Sequence, residues 1–330
     1  MSIRRFLAGT AIASLAIVGL APTSLATEET ETQVYLSPSG SDEGDGSAEQ
    51  PLRSLAGAVS VLGESDTERA TIWVDAGVYY ETAVVQWRVP QDELTLRPLN
   101  DGERPVFDGS RASGNSHYWM NTAGGPRLDV EGMEVRNYRT GGIRMDTDGN
   151  VIHDVVFHQI GNKHVPDGPG YAALHLLGSS HNHISDVVFR DLENVDCPGC
   201  MHGVYAANGS SDNVVTGSEF TRITGDPVRL RNDTHRNVFE YNTFSRSGDH
   251  MLDEERGEPG RWPHRAMASF WLFNDREVCG TENRVDFNVS DGRTYHGKPG
   301  QRMIGSHAEQ GLERCPLALK GRANTNDPHM

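Results

Sequence analysis

The chain has 330 residues, with 36 glycines, 16 prolines and only 36% hydrophobic residues. This composition is typical of many turns and short strands rather than of helices. The formal net charge of −16 argues against a nucleic-acid partner, since general nucleic-acid binders are usually basic. It does not exclude an anionic substrate, because the local field of a groove decides what binds there.

The N-terminal residues have the pattern of a signal peptide. Two arginines precede an apolar run at 6–20, and Ser24 and Ala26 place small side chains where a signal peptidase reads. We expect cleavage after Ala26 and secretion of residues 27–330. The apolar run is too short for a membrane anchor, and no later segment is apolar enough to cross a membrane, so we expect no membrane span.

The first part of the mature chain predicts a strand from Val34, a turn-rich loop and a short amphipathic helix at 56–62. Further strands are predicted at 71–79 and 94–96, followed by the segment PVFDG at 105–109.

Five later segments repeat one pattern, in which Asn is followed by β-branched or apolar residues and a large apolar residue closes the segment. The segments start 32, 31, 24 and 46 residues apart, which suits stacked coils that share strands and differ in loop length. A fixed Asn at a bend predicts a ladder of side-chain hydrogen bonds between the coils of a parallel β-helix. The segments begin at Asn150, Asn182, Asn213, Asn237 and, more weakly, Asn283.

The entry into these coils resembles a known family. The order SPSGSD (37–42), PLRSL (51–55), helix, VDAGVY (74–79) and PVFDG (105–109) is similar to the start of pectin-lyase-like right-handed β-helix proteins. The resemblance implies a helix that caps the open end of the coil, and polysaccharide-degrading enzymes as the commonest relatives. The motifs that carry it are structural and select no activity.

We therefore expect an all-β protein, a right-handed single-stranded parallel β-helix with an N-terminal capping helix. The expected organisation is one domain at 27–330, with loosely ordered ends at 27–33 and 316–330. We expect a monomer.

Export makes the four cysteines candidates for disulfides. Three pairings are open, and we favour Cys197 with Cys200 and Cys279 with Cys315. The CxxC is also compatible with a redox dithiol or half of a zinc site, but no second CxxC or HxxxH follows it. We therefore expect structural bridges.

A second strand can be aligned in each coil, and in each one a polar or aromatic residue lies between two apolar residues. This alternation predicts one face in the core and one in solvent, so the outward residues of successive coils form a column with a spacing of about 4.8 Å. The predicted column is Arg144, His175, Tyr205, Arg229 and Trp271; His202, Asp226 and Arg231 lie beside it, and Lys163 and His250 lie in long polar loops that border it.

These residue types suit removal of the proton next to the carboxylate of a uronic acid. Such a reaction needs a cation that neutralises the carboxylate and a base within hydrogen-bond reach of the proton. The candidate cation is Arg229, helped by Arg144 or Arg231, because a guanidinium grips a carboxylate with two parallel bonds. The candidate acids and bases are His202, His175, Tyr205 and Asp226, and the candidate sugar contacts are Trp271, Lys163 and His250. The sequence therefore predicts a secreted lyase whose partner is an anionic polysaccharide.

Three alternatives stay open. A glycoside hydrolase needs two carboxyl groups about 5–9.5 Å apart, for which Asp226 opposite Asp253, Glu254 or Asp146 is the candidate set. A C5-epimerase begins with the same proton abstraction as a lyase. A glycan-binding adhesin would repeat similar outward residues, whereas the members of this column differ.

Calcium is a further open question, because related lyases often use it and the acidic loop at 249–255 offers oxygen ligands. No fixed-spacing calcium motif is present, so the sequence requires no cofactor.

Overall fold

The computed structural model describes residues 31–113, 117–248 and 264–330. Its strands form three sheets, here called A, B and C, in which every strand pair given by the hydrogen-bond register is parallel. From the second coil onward, the chain visits the sheets in the order A, B, C in each turn. This arrangement is a parallel β-helix, as predicted.

The strands, numbered along the chain, are short because each one ends at the corner between two sheets. Sheet A contains β1 (Glu31–Leu36), β2 (Arg69–Val74), β5 (Glu93–Pro98), β8 (Arg127–Glu131), β11 (Val151–His153), β14 (His183–Ser185), β17 (Val214–Thr216), β20 (Val238–Glu240), β23 (Asn283–Asp286) and β26 (Leu319–Arg322). Sheet B contains β3 (Gly77–Tyr79), β6 (Pro105–Asp108), β9 (Glu134–Arg136), β12 (Val156–Ile160), β15 (Val188–Leu192), β18 (Glu219–Ile223), β21 (Thr243–Ser245), β24 (Val289–Ser290) and β27 (Thr325–Asn326). Sheet C contains β4 (Val85–Gln86), β7 (Tyr118–Asn121), β10 (Gly141–Met145), β13 (Ala172–Leu177), β16 (His202–Ala207), β19 (Val228–Arg231), β22 (Ala268–Leu272) and β25 (Ile304–Ala308).

The helix α1 (Leu55–Leu62) lies at the N-terminal end, where it contacts β1 and β4. Ser54 caps it, since the Ser54 side chain accepts a hydrogen bond from the Gly57 N–H. Its buried residues Leu55, Ala58 and Leu62 join the core of the coils. Two short 3-10 helices lie at Gly109–Arg111 and Pro198–Cys200. Among the described residues, no helix is long and apolar enough to cross a membrane.

The repeated asparagines form the predicted ladder at the corner between sheets C and A. The amide Nδ2 of Asn150 donates to Asn182 Oδ1 at 2.7 Å, and Asn182 donates in the same way to Asn213 at 2.6 Å. Asn213 continues to Asn237 at 2.7 Å, and Asn237 to Asn283 at 2.8 Å. Each acceptor oxygen also takes a backbone N–H of the coil before it. The ladder satisfies buried polar groups that would otherwise destabilise the corner.

The large apolar residue that closes the repeat forms a second stack inside the coils. Phe157, Phe189, Phe220 and Phe244 lie in register on sheet B, with ring centroids 5.8, 4.6 and 4.7 Å apart and planes within 19° of parallel. All four are fully buried. Stacked rings of this kind add to the area that they bury and fix the register between coils.

The Asn-headed segments differ from the prediction in one respect, because each contains two strands rather than one. In the first of them, β11 ends at His153, Asp154 adopts a left-handed backbone with φ 51°, and β12 begins at Val156. The chain therefore turns from sheet A to sheet B within a single repeat, which apolar alternation alone did not reveal.

The predicted loose ends are wrong for residues 31–33 and 319–326. Glu31–Leu36 pairs with β2, and Leu319–Arg322 pairs with β23. Asn324 extends a second ladder by accepting from Asn288 Nδ2 at 3.1 Å. The polar composition of these segments reflects exposed outer faces, while their backbones are paired.

Both favoured disulfides are present. Cys197 is bonded to Cys200, and Cys279 is bonded to Cys315. The first closes a short loop that leads into β16, and the second joins two segments 36 residues apart.

Candidate functional site

The outward face of sheet C carries the predicted column over four coils. Arg144 pairs in register with His175, His175 with Tyr205, and Tyr205 with Arg229. The fifth position is a correction: Arg229 is followed by Ser269, and Trp271 pairs with Arg231. Trp271 thus remains on the same face, but one outward position further along its strand.

A β-bulge explains why His202 and Tyr205, three residues apart, lie on one face. The N–H groups of Gly203 and Val204 both donate to the carbonyl of Pro227, at 2.9 and 3.0 Å. A side chain at Gly203 would collide with Phe220, since a Cβ there would lie 2.7 Å from its ring. The small residue therefore lets the bulge fit against the core.

Asp226 is the centre of a buried polar cluster at this end of the face. Its Oδ2 accepts from Arg229 Nη2 at 2.6 Å and from Trp271 Nε1 at 3.1 Å, and its Oδ1 accepts from the Arg265 N–H at 2.5 Å. His264 Nδ1 lies 3.3 Å from Oδ2. Burial alone would raise the pKa of Asp226, but Arg229 and His264 hold it well below its usual range. Asp226 is therefore ionised, and Arg229 is charge-compensated.

His202 belongs to the same cluster and is fully buried. Its Nδ1 lies 2.8 Å from the Asp226 carbonyl oxygen, an acceptor, so Nδ1 carries the proton. Burial, reinforced by Arg229, lowers the pKa of His202 well below its usual value. His202 is thus a neutral imidazole, and its ring centroid lies 5.5 Å from that of Tyr205.

An aromatic cluster, formed by Tyr118, Tyr171, His175 and Tyr205, occupies the middle of the face. The ring of His175 lies 4.6 Å from that of Tyr171 and 5.1 Å from that of Tyr205. Tyr118 Oη is 2.9 Å from His175 Nδ1. Within the described part of the chain, the buried Nε2 of His175 has no hydrogen-bond partner. Burial, and next the nearby Arg144, lower the pKa of His175 to about 3.

The two remaining arginines of the face differ in their partners. Arg231 donates to Glu277 Oε1 through Nε at 2.8 Å and to Tyr205 Oη through Nη1 at 3.1 Å. Arg144 is half-buried and, over the residues that the structure describes, makes no ion pair or side-chain hydrogen bond. Arg144 is therefore the guanidinium of this face that is available to a ligand.

Lys163 lies away from the column, at the corner between sheets B and C. It donates to the fully buried Glu193 at 2.6 Å, and His164 Nε2 lies 2.7 Å from the other oxygen of that carboxylate. Although burial opposes it, these donors and Tyr295 lower the pKa of Glu193 to about 2. The interaction holds the 161–170 loop to the next coil.

His250, the acidic loop at 249–255 and the expected signal peptide lie outside the described residues. Among the residues with described positions, no three His, Cys, Asp or Glu side chains are grouped as a metal site.

Sequence reasoning missed Tyr118, Tyr171 and Glu277, and it gave His264, in the polar loop that borders the column, no role. Tyr118 belongs to the row that runs beside the column, where Tyr118 pairs with Gly141 and Gly141 with Ala172, and Tyr171 directly precedes Ala172. An alignment of β7 with the other strands of sheet C would have placed Tyr118 on this face. Tyr171 and His264 follow loops of irregular length, and no periodic signal places their rings.

Comparison with solved structures shows the fold that carries this face. A rhamnogalacturonan lyase matches with a TM-score of 0.57 and 16% sequence identity, over 78% of this chain and 68% of that one. The pectate lyase Pel9A matches with a TM-score of 0.54 and 14% identity, over 89% and 79% of the two chains. At these identities the likeness shows the fold alone. No curated protein matches the chain in sequence.

The family model described as "Right handed beta helix region" matches residues 119–297, which is more than half of the chain. This segment spans the repeated asparagines and the sheet C column, so the match rests on the stacked coils themselves. The chain therefore belongs to the right-handed β-helix family.

Proposed function

We propose that this protein is a secreted polysaccharide lyase that cleaves a uronic-acid-containing polymer by β-elimination. The pattern of a signal peptide and the two disulfides support secretion. The likeness to a rhamnogalacturonan lyase and a pectate lyase supports a polysaccharide substrate through the fold that they share.

The observation that carries the proposal is the pairing of Arg144 with His175 on neighbouring strands. Arg144 is a half-buried guanidinium without a protein partner in the described residues, and a substrate carboxylate is the ligand that its planar fork fits best. His175 is a neutral imidazole with an unpaired ring nitrogen. A cation and a base thus extend from neighbouring strands, whose backbones are about 4.8 Å apart.

The proposed elimination begins with removal of a proton by His175. When the Nδ1–H of His175 donates to Tyr118 Oη, Nε2 carries the lone pair. Nε2 is buried, so the step requires that the bound polymer displaces the neighbouring side chains enough to reach it; Nε2 then takes the proton from the carbon next to the carboxylate. Arg144 stabilises the negative charge that develops on the carboxylate. The C–H electron pair forms the double bond, the glycosidic C–O bond breaks, and the Tyr205 hydroxyl gives its proton to the leaving oxygen. Solvent then restores both groups.

Arg229, His202 and Asp226 serve as support in this scheme. We propose Arg144 in place of Arg229 as the carboxylate ligand, because Arg229 is buried and already paired with Asp226. The buried cluster supports Tyr205 from below, since the ring of Tyr205 lies 5.5 Å from that of His202. Arg231 orients the Tyr205 hydroxyl by donating to its oxygen.

Glycoside hydrolysis is less well supported. It requires two carboxyl groups that face the scissile bond. Asp226 and Glu277, the two buried carboxylates of this face, are bound by Arg229 and Arg231 respectively. Neither is presented to a substrate in the described arrangement.

The test is incubation of the secreted protein with polygalacturonate, rhamnogalacturonan and alginate, followed by ultraviolet absorbance of the unsaturated product. A lyase gives rising absorbance on at least one polymer. New reducing ends without absorbance identify a hydrolase, altered uronate composition without cleavage identifies an epimerase, and retention without turnover identifies an adhesin.

The matched variants are Arg144→Ala and Arg190→Ala. Losing one preorganised electrostatic contact commonly lowers kcat by about 10²–10³, so Arg144→Ala is expected to lose about a hundredfold or more. Arg190 lies on sheet B with half of its side chain exposed, and its removal should leave turnover unchanged. Tyr205→Phe removes one hydroxyl and should impair turnover without changing the thermal midpoint. Full activity of both Arg144→Ala and Tyr205→Phe would exclude this site.

A further inference from the structure

The corner between sheets A and B lies away from the sheet C column. At each turn of the coil, one residue of this corner has a left-handed backbone. The strand registers align these residues from coil to coil. Their φ angles lie between 51° and 69°. The aligned residues are Gly132, Asp154, Asp186, Gly217, Tyr241, Phe287 and Ala323.

Two of these residues are unfavourable choices for the backbone that they adopt. Gly and Asp tolerate a left-handed conformation, whereas a bulky aromatic residue there is a conformational outlier. Tyr241 and Phe287 also bury little of their area, since they are 60% and 37% exposed. Burial in the core therefore does not compensate the strain. Local strain kept without a packing reason is typical of residues retained for binding.

The two rings form a flat, exposed stack. Their centroids are 5.3 Å apart and their planes are 8° from parallel. The Arg322 guanidinium covers the far side of Phe287 at 5.1 Å from the ring centroid. On the other side, Tyr241 faces the position of Gly217, which has no side chain. Because position 217 carries no side chain and Tyr241 is 60% exposed, this is the more open face of Tyr241.

Asp186 borders that open face. A Cβ placed on Gly217 would lie 2.8 Å from Asp186 Oδ1, so this oxygen of the carboxylate lies where a side chain at position 217 would begin. The other oxygen, Oδ2, lies 3.5 Å from His153 Nδ1. The Asp186 side chain is 62% exposed. An aromatic face beside an accessible carboxylate matches a sugar ring, whose C–H face stacks on the aromatic ring and whose hydroxyls donate to the carboxylate.

We propose that Tyr241, Gly217 and Asp186 form a binding site for a neutral sugar residue of a polysaccharide, separate from the sheet C face. Asp186, together with Glu219 and Glu240 on the flanking strands, disfavours a uronate at this position. The choice of a polysaccharide as the ligand rests on the proposed function. The site holds a neutral segment or side chain of the polymer while sheet C acts on the charged part.

The experiment is affinity electrophoresis of the full secreted chain in native gels that contain galactan, arabinan, xylan or mannan. Wild-type protein is expected to be retarded in at least one of these gels. Tyr241→Ala should weaken that binding by about tenfold, and Tyr241→Phe should retain it because the ring face is kept. Tyr80→Ala, which removes another aromatic residue with 37% exposure, is the matched control and should migrate as wild type.

A second variant separates binding from folding. Tyr241→Asn places a residue that tolerates the left-handed backbone, so its thermal midpoint should equal or exceed that of wild type while gel retardation is lost. Retention of wild-type binding by Tyr241→Asn, or no retardation of wild type in any neutral gel, overturns the proposal. A change of oligomeric state in Tyr241→Ala without a change in glycan retardation also overturns it and identifies a protein interface.

The outcomes for the two sites are distinguishable. Tyr241→Ala should keep wild-type turnover on short uronate oligomers, whereas Arg144→Ala should lose turnover and keep its retardation in neutral gels. Failure of all uronate turnover would reject the lyase while leaving the gel result to decide the sugar site.

Discussion

Two corners of the coil carry different tasks. At the C-to-A corner, five asparagines repeat the same hydrogen bonds from Asn150 to Asn283. At the B-to-C corner, the connections range from a short turn at 224–227 to longer loops such as 161–171, and they carry Tyr171, Glu193 and the CxxC bridge. One corner fixes the stacking of the coils, so the other is free to vary in length and to build a site.

This comparison predicts that removing a charge near the B-to-C corner lowers the free energy of unfolding more than removing a charge at the ladder corner. Asp226→Asn removes the partner of the buried Arg229 and should lower the free energy of unfolding by about 3–5 kcal/mol, because an uncompensated buried charge remains. Asp212→Asn, at the ladder corner, breaks an exposed pair with Arg236 and should cost less than about 1 kcal/mol. Urea unfolding measures both, and equal losses would remove the distinction.

The ladder itself is broken most directly at Asn213. Asn213→Leu removes the acceptor for the Asn182 N–H and Nδ2 at 3.0 and 2.6 Å, and leaves Asn237 Oδ1 with fewer donors. A loss of about 1–3 kcal/mol in unfolding free energy is expected. Asn100→Leu, at an exposed position, should change it by less than about 0.5 kcal/mol. Unchanged stability of Asn213→Leu would mean that the ladder does not hold the coils.

The site side of the molecule should also make the stability depend on pH. Burial lowers the pKa of His117, His175 and His307 to about 4, 3 and 4, whereas an unfolded histidine titrates near about 6.5. The unfolded chain therefore binds protons first, so the stabilisation is complete above about pH 6.5 and is lost as the pH falls toward 4. The thermal midpoint should fall over this window.

His175→Gln isolates one of these contributions. The variant should show a shallower fall in thermal midpoint between pH 7 and pH 4.5 than wild type, because one buried imidazole no longer takes up a proton on unfolding. An identical slope in the two proteins would assign the pH dependence to other groups.

The sequence predicted the fold well because the fold depends on periodic residues. The repeated Asn and Phe positions recur at every coil, and their ladder and stack follow from stacking alone. The site was predicted less completely. Both Ala268–Phe270 and Phe270–Leu272 have a polar or aromatic residue between two apolar ones, and only the structure places Ser269 rather than Trp271 beside Arg229.

The partners of the column depend on distances that a pattern does not contain. The sequence predicted that Arg229 would neutralise the substrate carboxylate, yet Asp226, three residues earlier, lies within 2.6 Å of it. Arg144 has no carboxylate at such a distance in the described part of its own coil, so it is the better candidate for the contact with the substrate carboxylate. Burial and pairing, rather than residue type, separate the two arginines.

The stack of phenylalanines from Phe157 to Phe244 has a consequence for how such a molecule lengthens. Each coil presents the same ring above and below, so a copy of the coil from Asn182 to Asp212 inserted after itself would meet matching neighbours on both sides. The join needs no new contact surface, since Asn meets Asn and Phe meets Phe. Tandem duplication is therefore a low-cost route by which a solenoid of this kind gains one rise of about 4.8 Å and a longer groove in a single genetic step.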